Sequence, residues 1–270
     1  MRNFVLQAQS ILRRDIIRII QLNKMYMSMF HGKKLICFDL DGTLIDSVGI
    51  WNQVDASLIE QLSTQKIDLD VIQQQRDRQL KKFKNCADPY LEYCGFIQDF
   101  YGSKLSKQEI KMQRHALSYH YLDYVIALKP QAELFLKQLK LHGFELAIAT
   151  TTSIHNIQHY QNNNTLINSK IDFENDFSLI LTRENVQNIK PHPEVYLKAI
   201  QHFGFKADEC LIIEDSLVGV EAAKQAGIEV IAIYDAYSAH ELEEIKTQAD
   251  YFVQDYAELL NAISAIKKMP

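Results

Sequence analysis

The chain is predicted to be an α/β protein: a doubly wound parallel-sheet core into which an all-helical domain is inserted. Three observations lead there. Short, wholly apolar runs such as Leu35–Phe38 and residues 211–213 have the composition of strands buried on both faces, as parallel sheets require. From residue 129 onward such runs alternate with helical stretches, the pattern of β-α-β units. Residues 49–128 instead show helical periodicity with few strand signals, so the first and second strands are separated by far more chain than one crossover needs.

Taken in order, residues 1–33 form an N-terminal extension ahead of the first strand. Val5, Leu12, Ile16, Ile19 and Ile20 share one helical face, with Arg14 and Arg18 opposite. The segment lacks the apolar core and cleavage site of a secretory signal. With Met25, Met27 and Met29 close behind, residues ahead of the true start or an amphipathic docking helix are preferred to a membrane-surface or targeting helix. Core residues 34–48 carry the first strand. The insertion, 49–128, reads as four helices at 50–62, 69–83, 90–101 and 106–125. Ser47, Val48 and Gly49 on one side and Lys129-Pro130 on the other are the expected hinge, and the core resumes over 129–270.

There a helix at 131–142 precedes a strand at 144–150, and a helix at 153–160 precedes a strand near 178–181. A helix at 193–203 stops at Gly204, and the strand Cys210–Glu214 leads to a helix capped by Ser216 and ended by Gly227. Glu229–Ile233 and Tyr251–Val253 complete the sheet. The polar segment 162–176 receives no functional reading.

Composition narrows the function classes. A hydrophobic content of 47 % and a charged content of 23 % are those of an ordinary globular protein, and no apolar run approaches a membrane span. The net charge is −5, while seven Lys/Arg and one Asp fall within residues 1–34, so the remainder is more acidic still. Nucleic acid is therefore not an expected partner, and neither is a membrane. Cys37, Cys86, Cys94 and Cys210 have no metal-ligand spacing, which fits a reducing, cytoplasmic setting. A monomer or homodimer is expected.

The most informative stretch follows the first strand: Asp39-Leu-Asp41-Gly42-Thr43. Two carboxylates at the end of a buried strand lose hydration and repel each other, so a counter-charge is expected. A hard divalent cation with oxygen ligands, Mg2+ above all, supplies it. An Asp-Gly hairpin turn is the bland alternative.

The string Phe-Asp39-Leu-Asp41-Gly42-Thr43-Leu resembles the first motif of the haloacid dehalogenase superfamily. Three further motifs resemble that family's in order: the apolar strand ending at Thr150, Lys190-Pro-His-Pro-Glu, and the strand ending in Glu214-Asp215. The resemblance spans residues 34 to about 260 and implies a Rossmann-like core with a helical cap that closes over the substrate. It implies Asp39 as nucleophile, Asp41 as acid/base, Thr150 and Lys190 as phosphoryl-binding groups, and Mg2+ held by Asp39, Asp41, Glu214 and Asp215, with Asp215 the more direct ligand than Glu214. Thr151, Thr152 and Ser153 compete for the role given to Thr150.

Asp41 separates this chain from halide-displacing relatives, which lack the second aspartate. Phosphonate-cleaving relatives use a cap lysine, and Lys81, Lys82 and Lys84 read more simply as a solvated helix face. The expected function is hydrolysis of a small phosphorylated metabolite, of the sugar or polyol phosphate class, through an aspartyl-phosphate. A phosphosugar mutase similar to beta-phosphoglucomutase is the alternative, but such mutases carry a histidine where this chain has Trp51. A weakly catalytic binding or regulatory protein is the alternative of another class.

Overall fold

In the computed structural model, residues 28–63, 67–83 and 86–266 are described. The helical face assigned to Val5, Leu12, Ile16, Ile19 and Ile20 lies outside them. Six strands form one parallel sheet: β1 (Leu35–Phe38), β2 (Glu145–Ala149), β3 (Leu179–Leu181), β4 (Cys210–Glu214), β5 (Glu229–Ile233) and β6 (Tyr251–Val253). Their order is β3-β2-β1-β4-β5-β6. The chain thus fills the sheet outward from β1 in one direction, returns, and fills it in the other. The crevice between β1 and β4 is the switch point at which sheets of this kind bind ligands.

Eleven α-helices are found among the described residues: α1 (Val48–Ser63), α2 (Leu69–Lys82), α3 (Pro89–Tyr101), α4 (Lys107–Tyr124), α5 (Ala132–Leu141), α6 (Ile154–Asn162), α7 (Thr165–Asn168), α8 (Glu194–Phe203), α9 (Leu217–Gln225), α10 (Leu242–Gln248) and α11 (Tyr256–Ile266). The chain divides into two compact units. Among the described residues the first holds 28–44, 128–153 and 173–266, and the second holds those within 45–127 and 154–172. Residues 154–172 thus group with the inserted helices, whereas the sequence reading assigned them to the core.

In the first unit both sheet faces are covered, which is why the strands read as unbroken apolar runs. Leu35, Cys37, Ala147 and Val230 pack with Tyr196 and Ala199 of α8 and Val220 and Ala223 of α9. On the other face Phe38 meets Phe135 of α5 edge-on at 6.3 Å, and Phe135 meets Tyr256 of α11 at 5.6 Å. Phe30, just before β1, is buried and lies 6.1 Å from Phe135 and 6.0 Å from Phe144. Phe38 pairs in register with both Ile148 and Ile213, so the carboxyl ends of the three central strands are level.

The second unit buries Leu58, Ile59, Ile72, Tyr93, Cys94, Ile97 and Ile110. Its helix starts are set by local chemistry. Asp68 accepts from the amide of Asp70, Asp88 accepts from Leu91 with Pro89 at the first position, and Ser106 and Glu109 form a reciprocal capping box. Gly102 ends α3 in the left-handed conformation. A buried ion cluster sits within this unit: Arg114 Nε donates to Asp55 Oδ1 at 2.6 Å, while Arg76 and the Tyr93 hydroxyl both donate to Oδ2 at 3.2 Å. The Arg114 guanidinium lies over the Trp51 ring, 4.7 Å from its centroid. Trp51 is therefore engaged in packing α1 against α4.

The structure also accounts for the polar segment after α6. Asn164 is fully buried, and its amide donates to the carbonyls of Leu122 and Ile126 at 2.6 and 2.8 Å. Its Oδ1 accepts from Leu166, capping α7. One side chain thus satisfies a carbonyl in the last turn of α4 and another just beyond it, and starts a new helix. Three helices escaped the sequence reading: α7, α10 and α11.

Candidate active site

Asp39 is the first residue beyond β1, and its amide still bonds the sheet by donating to Ile213 carbonyl oxygen at 3.0 Å. Its side chain is buried at the switch point. Lys190, in the loop before α8, is buried too, and its ammonium donates to Asp39 Oδ1 and to Glu214 Oε1, both at 2.6 Å. Glu214 closes β4 and Asp215 follows it. Oxygen atoms of Asp39, Glu214 and Asp215 lie within 4.8 Å of one another. The parallel register therefore gathers four of the six residues expected at the site.

Glu214 is completely engaged. Oε1 accepts from Lys190 and, at 2.8 Å, from the Tyr196 hydroxyl. Oε2 accepts from the amides of Asp215 and Ser216 and from the Ser216 hydroxyl. Asp215 Oδ1 accepts from Thr43 Oγ1 at 2.7 Å, and Tyr256 holds the Thr43 carbonyl from below at 3.0 Å. Among the described residues Oδ2 of Asp39 and Oδ2 of Asp215 accept no hydrogen bond.

Two glycines make the crowding possible. Gly42 has φ +84°, and a Cβ there would fall 2.3 Å from Asp215 Oδ2. A Cβ at Gly219, in the first turn of α9, would fall 1.9 Å from the Glu214 carboxyl carbon. No real side chain fits at that distance.

Electrostatics follow from burial. Desolvation pushes the Asp39 carboxyl up to about 8, with Lys190 pulling it back and Glu214 and Asp41 adding repulsion. Asp215 is raised well above the carboxylate range by the same burial, then by Glu214 and Asp39, with the Thr43 hydrogen bond opposing. Lys190 is held above its ordinary value because Asp39 and Glu214 outweigh its own desolvation. Were all three carboxyl groups ionised, one ammonium would leave two negative charges unmatched, which is what raises Asp39 and Asp215 when no cation is bound. The donor set is all oxygen, and these residues fit a hard divalent cation in charge and in chemistry.

The remaining expected residues sit nearby in the fold. Asp41 is half-buried on the turn after β1, near enough to raise Asp39. Thr150 follows β2, buried, with its amide donating to Leu181 and its hydroxyl accepting from Thr152 at 3.1 Å. Of the four consecutive hydroxyl residues it is the buried one; Thr151 is exposed. Thr43 and Tyr196 carried no role in the sequence reading. Thr43 lay inside the first motif string and Tyr196 two residues beyond the third, but nothing in a string shows which carboxylate each hydroxyl will reach.

Comparison with known proteins gives four matches. The family model described as haloacid dehalogenase-like hydrolase matches residues 36–233. The bifunctional riboflavin kinase/FMN phosphatase of Arabidopsis thaliana is 29 % identical over 215 residues, which is 77 % of this chain and 51 % of that protein, so the chain spans about half the length of this relative. Phosphoglycolate phosphatase of Pasteurella multocida is 25 % identical over 234 residues, covering 85 % of this chain and 98 % of that one. Among solved structures, CbbY from Rhodobacter sphaeroides shares the fold with a TM-score of 0.65 at 23 % identity, over 86 % of this chain and 99 % of the other.

Proposed function

Because the chain belongs to the haloacid dehalogenase-like hydrolase family, we propose that it is a Mg2+-dependent phosphatase acting on a small phosphorylated metabolite. The observation that carries this reading is the buried set of Asp39, Glu214 and Asp215 around a single Lys190 at the switch point. Relatives named as phosphatases of FMN and of phosphoglycolate support it.

Asp39 and Asp215, each with an oxygen outside the hydrogen-bond network, would hold the ion together with Asp41. When bound, Mg2+ supplies positive charge to the phosphoryl oxygens as negative charge spreads over them. The chain's own residues supply the rest. Asp39 attacks phosphorus, forming an O–P bond to its carboxylate as the bond to the leaving oxygen breaks. Asp41 gives that oxygen its proton, and then takes a proton from the water that attacks the aspartyl-phosphate and regenerates Asp39. Lys190 fixes the orientation of Asp39 and offsets the charge of the entering phosphate. Glu214, saturated with donors, anchors Lys190. Thr150 offers its hydroxyl to a phosphoryl oxygen one strand away.

Sugar and polyol phosphates are the proposed substrate class. The mutase alternative loses ground at Trp51, which stands where those enzymes carry a histidine and here packs on Arg114. The test is phosphate release from sugar, polyol, glycolate and nucleotide monophosphates, with Mg2+ or with EDTA, for wild type, Asp39→Asn and Asp41→Asn. Metal-dependent release is expected from wild type, none from Asp39→Asn, and about 10²- to 10⁴-fold less from Asp41→Asn. Isomerisation of a hexose 1-phosphate without net release would overturn the hydrolase reading in favour of a mutase.

A further inference from the structure

We infer that the second unit carries a transition-metal site, for a dication such as Zn2+, Ni2+ or Cu2+, formed by His155 and His159 of α6 and oriented by Asp123 of α4. The two histidines are four residues apart, so both rings leave the same face of the helix. Their Nε2 atoms lie 3.3 Å apart. Two imidazole nitrogens, each about 2.0–2.1 Å from a tetrahedral ion, stand about 3.3–3.4 Å from each other. The pair is thus spaced for a shared ion.

The surroundings fix the form of the donors. His159 Nδ1 lies 2.5 Å from Asp123 Oδ1, and an ionised carboxylate only accepts. Nδ1 therefore carries a proton, and in the neutral ring the lone pair is then on Nε2, the form in which imidazole ligates a metal. Asn163 donates to the same Asp123 oxygen at 3.2 Å, holding the carboxylate in place. Tyr119 stacks on the His159 ring at 4.7 Å and meets the His155 ring at 5.6 Å, which restricts both rotamers. His155 is exposed and His159 partly so, leaving the outer coordination positions to water or a small ligand.

Nitrogen donors select borderline metals over Mg2+, and the first-row order favours Cu2+, Ni2+ and Zn2+. The site is accordingly distinct in chemistry from the all-oxygen set around Asp39. A simple ring-to-ring N–H···N bond is the competing account of the 3.3 Å separation, and it requires no metal affinity.

The test titrates zinc chloride into the full chain under excess Mg2+, following heat by calorimetry and histidine ring nitrogens by 15N NMR. One Zn2+ per chain is expected, shifting the Nε2 signals of His155 and His159. His155→Ala and His159→Ala should each weaken binding at least tenfold, and Asp123→Asn about 10–100-fold, the usual effect of losing an outer partner. Phosphate release with Mg2+ alone should be unchanged in all three. His155 is exposed, so its replacement removes a ligand without disturbing packing. Absence of zinc binding would overturn the site. So would zinc that leaves both ring signals in place, or undiminished affinity in His155→Ala.

Discussion

Glu214 shows how completely a buried carboxylate can be held by its neighbours. It is buried, and its two oxygens are shared among Lys190, Tyr196, Ser216 and two backbone amides. Such a carboxylate is a fixed acceptor, and in the proposed mechanism it places the lysine. Gly219 is the residue that makes room for it. Replacing glycine by alanine inside a helix ordinarily stabilises by about 0.5–1 kcal/mol. Here the added methyl would sit 1.9 Å from the Glu214 carboxyl carbon, and overpacking of this kind costs about 1–3 kcal/mol. Gly219→Ala is therefore expected to lower stability in urea denaturation and to lower turnover, because Lys190 loses its anchor. A variant as stable and as active as wild type would contradict that placement. The motif strings identified Asp39, Lys190 and Asp215 by type and spacing. They could not reveal that Thr43 serves Asp215 or that Tyr196 serves Glu214.

Helices and strands were legible to different degrees, for identifiable reasons. β1, β4, β5 and β6 have the limits expected of them, since the apolar run inside each is interrupted by charge only at its ends. Helix starts shifted by a residue or two where a cap sets them; α5 begins at Ala132 because Gln131 adopts φ 67°. α7 was invisible because it depends on Asn164 reaching the end of α4. The same dependence on distant partners governs the ion cluster joining α1, α2 and α4. Asp55 has no exposure, and both Arg76 and Arg114 are buried against it. Removing one member of a buried ion group costs about 3–5 kcal/mol, because the remaining charge is left unpaired. Asp55→Ala is expected to lose stability on that scale in urea denaturation, with an unchanged dependence on denaturant. A loss below about 1 kcal/mol would mean the cluster behaves like an exposed pair.

The fold gathers three buried carboxyl groups at its switch point, and this has a consequence for stability. A carboxyl held above its ordinary value near 4 keeps a proton in the folded chain that the unfolded chain has released. For Asp39, raised to about 8, the contribution is intact below about pH 4 and is lost progressively as the pH rises toward 8. Metal-free protein is therefore expected to unfold at a lower temperature at pH 8 than at pH 5, other groups being equal. A ligand that binds only the folded state stabilises by about 2.7 kcal/mol at one hundred times its dissociation constant. Mg2+ should accordingly raise the melting temperature, and by more at pH 8, where the carboxylates are ionised. Calorimetric scans at both pH values, with Mg2+ and with EDTA, check this. An equal Mg2+ effect in Asp39→Asn would show that the ion binds elsewhere.

Sequence by itself determined the parallel sheet, the helical insertion and the residue types at the strand ends, because period, apolar runs and short motifs are local properties of a chain. It also carried the family resemblance that the match over residues 36–233 established. Tertiary structure alone decided which side chains meet: Lys190 with Asp39, Asp55 with two arginines, Asp123 with His159. Those partners are far apart in the chain, and only the register of the sheet and the packing of helices bring their atoms within reach.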